Sequence, residues 1–131
     1  MSHFTRVKTL IRDQVVLEEA LRQLHYDFRV GEQLPIRGYM GNRETGQVVV
    51  NTGSAYDIGF QRQADDTFQI CADWWGVQKD TSIREATFLQ QINQTYAYQV
   101  VKKQVVEDGY IIEDERVLAN GEIELVVAER L

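Results

Sequence analysis

The segments Tyr56-Asp57-Ile58-Gly59-Phe60 and Phe68-Gln69-Ile70-Cys71-Ala72-Asp73-Trp74-Trp75, separated by an Ala64-Asp65-Asp66 turn, carry the strongest structural signal in this chain. Ile58 and Phe60 alternate with Asp57 and Gly59, and Phe68, Ile70 and Ala72 alternate with Gln69 and Cys71. A two-residue period is that of a half-buried strand, and adjacent acids suit a turn. The pattern predicts a β-hairpin whose core face carries Ile58, Phe60, Phe68 and Ile70.

Upstream, Gln47 to Asn51 contains Val48-Val49-Val50, and Thr52-Gly53-Ser54 separates it from Tyr56. Three strands are therefore expected as an antiparallel meander with short loops. Residues 3 to 11 place Thr5, Val7, Thr9 and Ile11 at alternate positions, which predicts a first strand. Asp13 can cap a helix over 14–25, because its carboxylate accepts from free N–H groups of the first turn and Val16, Leu17, Ala20, Leu21 and Leu24 recur at helical spacing. Tyr26 to Val30 alternates again and is expected to stop at Gly31. Leu34 to Gly46 holds the only proline with Gly38, Gly41 and Gly46, and reads as strand fragments joined by loop.

Beyond Trp74-Trp75-Gly76 a second helix is expected, opened by Ser82 with Glu85 in a capping box. Its stripe is Leu89, Ile92, Tyr96 and Val100, flanked by Phe88 and Ala97, and it ends before Gly109. Tyr110 to Val117 and Glu122 to Val127 read as a final hairpin around Asn120-Gly121, a dipeptide that tolerates the positive φ angles of tight turns. The order β, α, several β, α, β, β predicts an α+β fold. We expect a two-layer sandwich, a mainly antiparallel sheet with two helices on one face, as a single domain over residues 1–131.

A chain of 131 residues can bury roughly two-thirds of its unfolded surface without disulfide support. With one cysteine, Cys71, and no signal-like start, it reads as intracellular. No run approaches the roughly 20 apolar residues that span a bilayer, so a soluble protein with no membrane span is expected. The net charge of −6 and the scatter of the 14 basic residues argue against nucleic acid, which needs clustered Lys and Arg; Lys102-Lys103 is the densest pair. The acidic excess gathers in the last third, from Glu107 to Glu129, and suits solubility or a basic partner.

Catalytic signatures are sparse. Cys71 reads as a buried thiol, and a nucleophilic dyad would need His3 or His25 to approach it. One Cys and two His do not assemble a zinc site, so no metal is expected, and the glycines are not spaced to cradle phosphate between a strand and a helix, so no cofactor is expected either. Asp57 and Asp73 sit among aromatics, where a carboxylate must be paired or reach solvent. Trp74 and Trp75, as neighbours in an extended chain, would face opposite ways, leaving one indole as a contact anchor. Tyr96 and Tyr98 point to nearly opposite sides of the second helix.

Taken as a set, Met1-Ser2-His3-Phe4, Lys8-Thr9, Ile11-Arg12-Asp13, Val30-Gly31, Arg37-Gly38-Tyr39, Tyr56-Asp57-Ile58-Gly59-Phe60, Ala72-Asp73-Trp74, Tyr96-Ala97-Tyr98 and Gly109-Tyr110 resemble the family of the thirty-fifth hypothetical chloroplast reading frame, from cyanobacteria and algal plastids. The resemblance implies the cyanobacterial cytoplasm or the plastid stroma. It implies no reaction and no catalytic residues, and its genomic setting suggests a ferredoxin-like protein partner.

The expected function is that of a non-catalytic accessory or interaction protein of photosynthetic cells, with Asp73, Trp74 and Trp75 as contact surface. The rival is a ligand-binding protein or enzyme with a pocket between sheet and helix, lined by Tyr39, Tyr56, Asp57, Asp73 and Tyr96. A third reading is an oligomeric module that pairs through exposed strand edges.

Overall fold

The computed structural model describes residues 3–120 and 122–130. In chain order these form strand β1 (Thr5–Lys8), helix α1 (Gln14–Gln23), strands β2 (Asp27–Arg37), β3 (Arg43–Asn51), β4 (Asp57–Arg62) and β5 (Phe68–Ala72), helices α2 (Trp74–Asp80) and α3 (Glu85–Glu107), and strands β6 (Tyr110–Val117) and β7 (Ile123–Glu129). The first five strands make one antiparallel sheet in the order β1-β5-β4-β3-β2, and β6 and β7 make a second, two-stranded sheet. The fold is an α+β sandwich.

The expected meander is present, with Val48 opposite Phe60, Val50 opposite Ile58, and Phe60 opposite Ile70. That register lines Val48, Val50, Ile58, Phe60, Phe68, Ile70 and Ala72 along one face, all fully buried. Against them pack Leu17, Ala20 and Leu21 of α1, Trp74 and Val77 of α2, and Phe88 and Ile92 of α3. Each buried large side chain contributes about 1.5–3 kcal/mol of transfer free energy, so this layer dominates the stability of the fold. Asp13 caps α1 as expected, its Oδ1 accepting the Val16 N–H at 3.2 Å.

The opposite face of the sheet carries the row Arg6, Cys71, Gly59 and Val49. It is covered by the chain itself. The β2–β3 hairpin bends across it, bringing Ile36 and Leu34 onto Val49 and Cys71 together with Phe4. Gly59 permits this approach, since a Cβ there would lie 2.1 Å from Ile36 Cδ1. An Arg6–Glu44 ion pair ties the folded-over half of β3 to β1.

Four expectations change. The strand beginning near Tyr26 does not stop at Gly31: β2 absorbs the glycine in a register shift between Val30 and Leu34 and runs on to Arg37. Pro35 is tolerated because β2 is an edge strand, where a missing N–H breaks no ladder. The segment Leu34 to Gly46 is thus the end of a hairpin, closed by a 3₁₀ turn at Tyr39–Gly41 in which Met40 and Gly41 take positive φ. The tryptophans open a helix, α2, instead of ending a strand. The Ser82–Glu85 capping box does not form: the helix begins only at Glu85, whose N–H is accepted by Gln78 Oε1 at 3.0 Å.

On α3 the buried positions are Phe88, Ile92 and Gln99, while Val100 of the expected stripe and Ala97 on its flank are exposed. The last hairpin forms as expected and lies against α3, apart from the main sheet. Its turn is closed by the Leu118 N–H on the Glu122 carbonyl at 2.7 Å, and Gly121 of the Asn120-Gly121 pair lies outside the described residues, as do Met1 and Ser2.

Candidate functional site

The bend of the β2–β3 hairpin creates two features, an aromatic tip and a charged crease. At the tip Tyr39 meets the ring of Trp75 edge to face, 6.0 Å between centroids. Lys79, one helical turn on, places its Nζ 4.8 Å from the Trp75 centroid, a cation–π contact. Trp75 is 46% exposed and the neighbouring Met40 81%. Trp74, by contrast, is 5% exposed and packs on Phe88 at 5.7 Å. Successive residues of a helix point about 100° apart, so α2 buries the first indole and presents the second.

Asp73 makes this division possible. It is buried and caps α2, Oδ1 accepting the Gly76 N–H at 3.3 Å. Its Oδ2 and the Trp74 indole N–H are buried without a hydrogen-bond partner among the described residues. Tyr56 lies on Gly76, where a Cβ would fall 2.1 Å from the ring, and burial, with the charges of Asp73 and Asp80 and the phenol of Tyr39 adding to it, raises its pKa. Tyr39, Tyr56, Asp73, Trp74 and Trp75 are thus brought to one end of the sheet.

Asp57 and Tyr96 are not part of that group. In an extended strand consecutive side chains face opposite sides, so Tyr56 joins the helix-covered core and Asp57 the other face. There Asp57, 1% exposed, is gripped by Arg37. Oδ2 accepts the Arg37 backbone N–H at 2.8 Å and Nε at 2.9 Å, and Oδ1 accepts Nη2 at 2.9 Å. The Asp57 carboxylate in turn raises the pKa of Arg37. Tyr96 packs on the helix side, its hydroxyl accepting the backbone N–H groups of Arg12 and Asp13. The pocket expected between sheet and helix from Tyr39, Tyr56, Asp57, Asp73 and Tyr96 therefore does not assemble, because the sheet itself separates Asp57 from Tyr96.

The Cys71 thiol faces Ile36 and Val49 and is fully buried. Burial, with Glu44 adding to it, pushes its pKa up to about 11 against the opposing pull of Arg6. β1 does lie beside β5, but Cys71 is paired with Arg6, and both His3 and His25 are exposed. Sequence reasoning missed Arg29, Arg37 and Arg43, which with Asn51, Pro35 and Asp57 line the crease. The available signal was three arginines within fifteen residues of an otherwise acidic chain.

The model of the family described as "Protein of unknown function (DUF1257)" matches residues 20–126. The chain belongs to the DUF1257 family. It is 31% identical over 127 residues to "Uncharacterized protein ycf35" of Cyanophora paradoxa, and 30% identical to the protein of that name from Guillardia theta, each match covering 97% of this chain and 96% of the relative. A third relative of the same name, from Pyropia yezoensis, is 25% identical over the same share. The resemblance read from the sequence motifs is therefore correct. No solved structure matches this DUF1257 chain. Among its described residues no helix is long and apolar enough to cross a membrane.

Proposed function

We propose that this DUF1257 chain is a non-catalytic accessory protein of the cyanobacterial cytoplasm or plastid stroma that acts by binding a protein partner through the Tyr39–Met40–Trp75 tip. The observation that carries the reading is the half-exposed Trp75 ring, braced by Tyr39 and Lys79. A pre-ordered aromatic offers large contact area with little side-chain entropy left to lose, the property of interface hot spots. The reactive groups nearby are otherwise engaged. Asp57 is held by Arg37, Asp73 caps α2, and the Cys71 thiol is shielded by the folded-over hairpin.

The test is affinity capture from a cyanobacterial lysate with wild-type, Trp75→Ala and Tyr39→Ala baits, followed by titration of the purified partner; a ferredoxin-like protein is the first candidate to titrate. Trp75→Ala should abolish capture of a protein that wild type retains and should weaken the purified pair by about thirtyfold or more, the threshold of a hot spot. Capture unchanged by both substitutions would overturn the reading.

A further inference from the structure

We propose that the crease of the β2–β3 hairpin binds the phosphate group of a small anionic ligand. The inference does not rest on the contact surface at Trp75. The crease is a cleft of about 510 Å³ lined by Arg29, Pro35, Arg37, Arg43, Asn51 and Asp57. That volume lies within the roughly 300–1,000 Å³ of small-ligand sites. Three guanidiniums face one carboxylate, so positive charge is in excess here although the chain carries −6 overall.

Asp57 cannot neutralise that excess. Both of its oxygens are occupied by Arg37, which also donates Nη2 to the Ser54 carbonyl at 2.9 Å. Among the described residues Arg29 and Arg43 make no ion pair and no side-chain hydrogen bond, whereas Arg6, Arg22 and Arg116 each meet a carboxylate. Arg43 is moreover the cross-strand partner of Arg37. Directly opposed like charges, with Cβ atoms about 4.5–5.5 Å apart, are destabilising, and an anion between them would relieve that repulsion. Asn51 adds a donor, since its Oδ1 already accepts the Gly53 N–H at 2.9 Å and its amide N–H₂ remains available.

The geometry favours phosphate over carboxylate. A planar carboxylate matches a single arginine fork, as Asp57 matches the Nε and Nη2 of Arg37. A phosphate presents three oxygens in different directions, which suits guanidiniums reaching it from separate places. Arg29 stands on the flat half of β2, whereas Arg37 and Arg43 belong to the half that folds over. Pro35 is the one apolar residue among the six that line the cleft, so the site fits a phosphate head and not an apolar body.

The test is titration of the full chain with inorganic phosphate, pyrophosphate and glycerol phosphate at matched ionic strength, followed by amide chemical shifts, with oligo-glutamate as a separate arm. We expect saturable shifts centred on Asn51 and Arg37. Arg29→Gln and Arg43→Gln should each weaken binding about tenfold, the scale of one charge-assisted hydrogen bond, with no loss of melting temperature because neither side chain has a partner to lose. Tighter binding of glycerol phosphate than of inorganic phosphate would support the proposal and identify an ester; equal binding would support it and identify the free anion. No saturable shift with any phosphate, binding indifferent to both arginine substitutions, or binding of oligo-glutamate alone would overturn it.

Discussion

Arg37 holds Asp57 through three hydrogen bonds, two from its guanidinium and one from its own backbone N–H, so a single residue satisfies both oxygens of a buried carboxylate. The two partners differ in exposure, 41% for the Arg37 side chain and 2% for that of Asp57. That difference makes the pair asymmetric. Arg37→Met orphans a charge that cannot reach water and should cost about 3 kcal/mol, the lower end for a broken buried pair because the half-exposed arginine is partly screened. Asp57→Asn leaves an arginine free to turn outward and should cost only about 1 kcal/mol. Urea denaturation of both variants measures the difference, and equal losses would show that Asp57 is not truly desolvated.

The two tryptophans should behave oppositely. Trp74→Ala removes a core indole and should cost about 3–5 kcal/mol, while Trp75→Ala should cost less than about 1 kcal/mol. Iodide quenching of the native fluorescence should survive in Trp74→Phe and largely vanish in Trp75→Phe. The reverse order would place the wrong indole at the surface.

Gly59→Ala drives a methyl into Ile36 and should destabilise by about 1–3 kcal/mol through overpacking. Ile36→Ala alone loses core burial, but the double substitution should be less destabilising than the sum of the singles. A coupling of about 0.5 kcal/mol or more in the double-mutant cycle would demonstrate the contact, and strict additivity would refute the folded-over hairpin.

Tyr96→Phe leaves the ring on the core and deletes the acceptor for two backbone N–H groups ahead of α1, 3.1 Å from Arg12 and 3.0 Å from Asp13. A loss of about 1–2 kcal/mol is expected, read by thermal or urea unfolding, together with faster hydrogen exchange at those two amides.

Cys71 makes stability depend on alkaline pH. Its folded pKa of about 11 lies above the ordinary 9.0, so folding favours the protonated thiol. The contribution is fully present below pH 9 and is lost as pH rises from 9 through 11. Subtracting the stability profile of Cys71→Ala from that of wild type isolates the slope, which should be negative in that window. A thiol reagent at neutral pH should react only with unfolded chain.

Elements whose signal is local were legible. The alternation of Ile58 and Phe60, the Asp13 cap and the final hairpin each rest on neighbours within a few positions, and all stand where their residues place them. Boundaries failed where a distant contact intervened. Gly31 and Pro35 look like breakers, yet β2 continues because a register shift absorbs the glycine and the open sheet edge excuses the proline. Ser82 and Glu85 have capping-box spacing, but the Gln78 side chain reaches the first helical N–H instead.

The sequence by itself determined the α+β architecture, the helix-facing core and the family, because period, capping and motif are properties of adjacent residues. Only the tertiary structure decided that Trp74 is core and Trp75 surface, that Asp57 is held by Arg37, and that Arg29, Arg37 and Arg43 share one cleft. These outcomes follow from the bend of the β2–β3 hairpin over Gly59 and from the turn of α2. The bend rests on the contact of Gly59 with Ile36 and the seating of α2 on that of Gly76 with Tyr56, pairs far apart in the chain that no local pattern encodes.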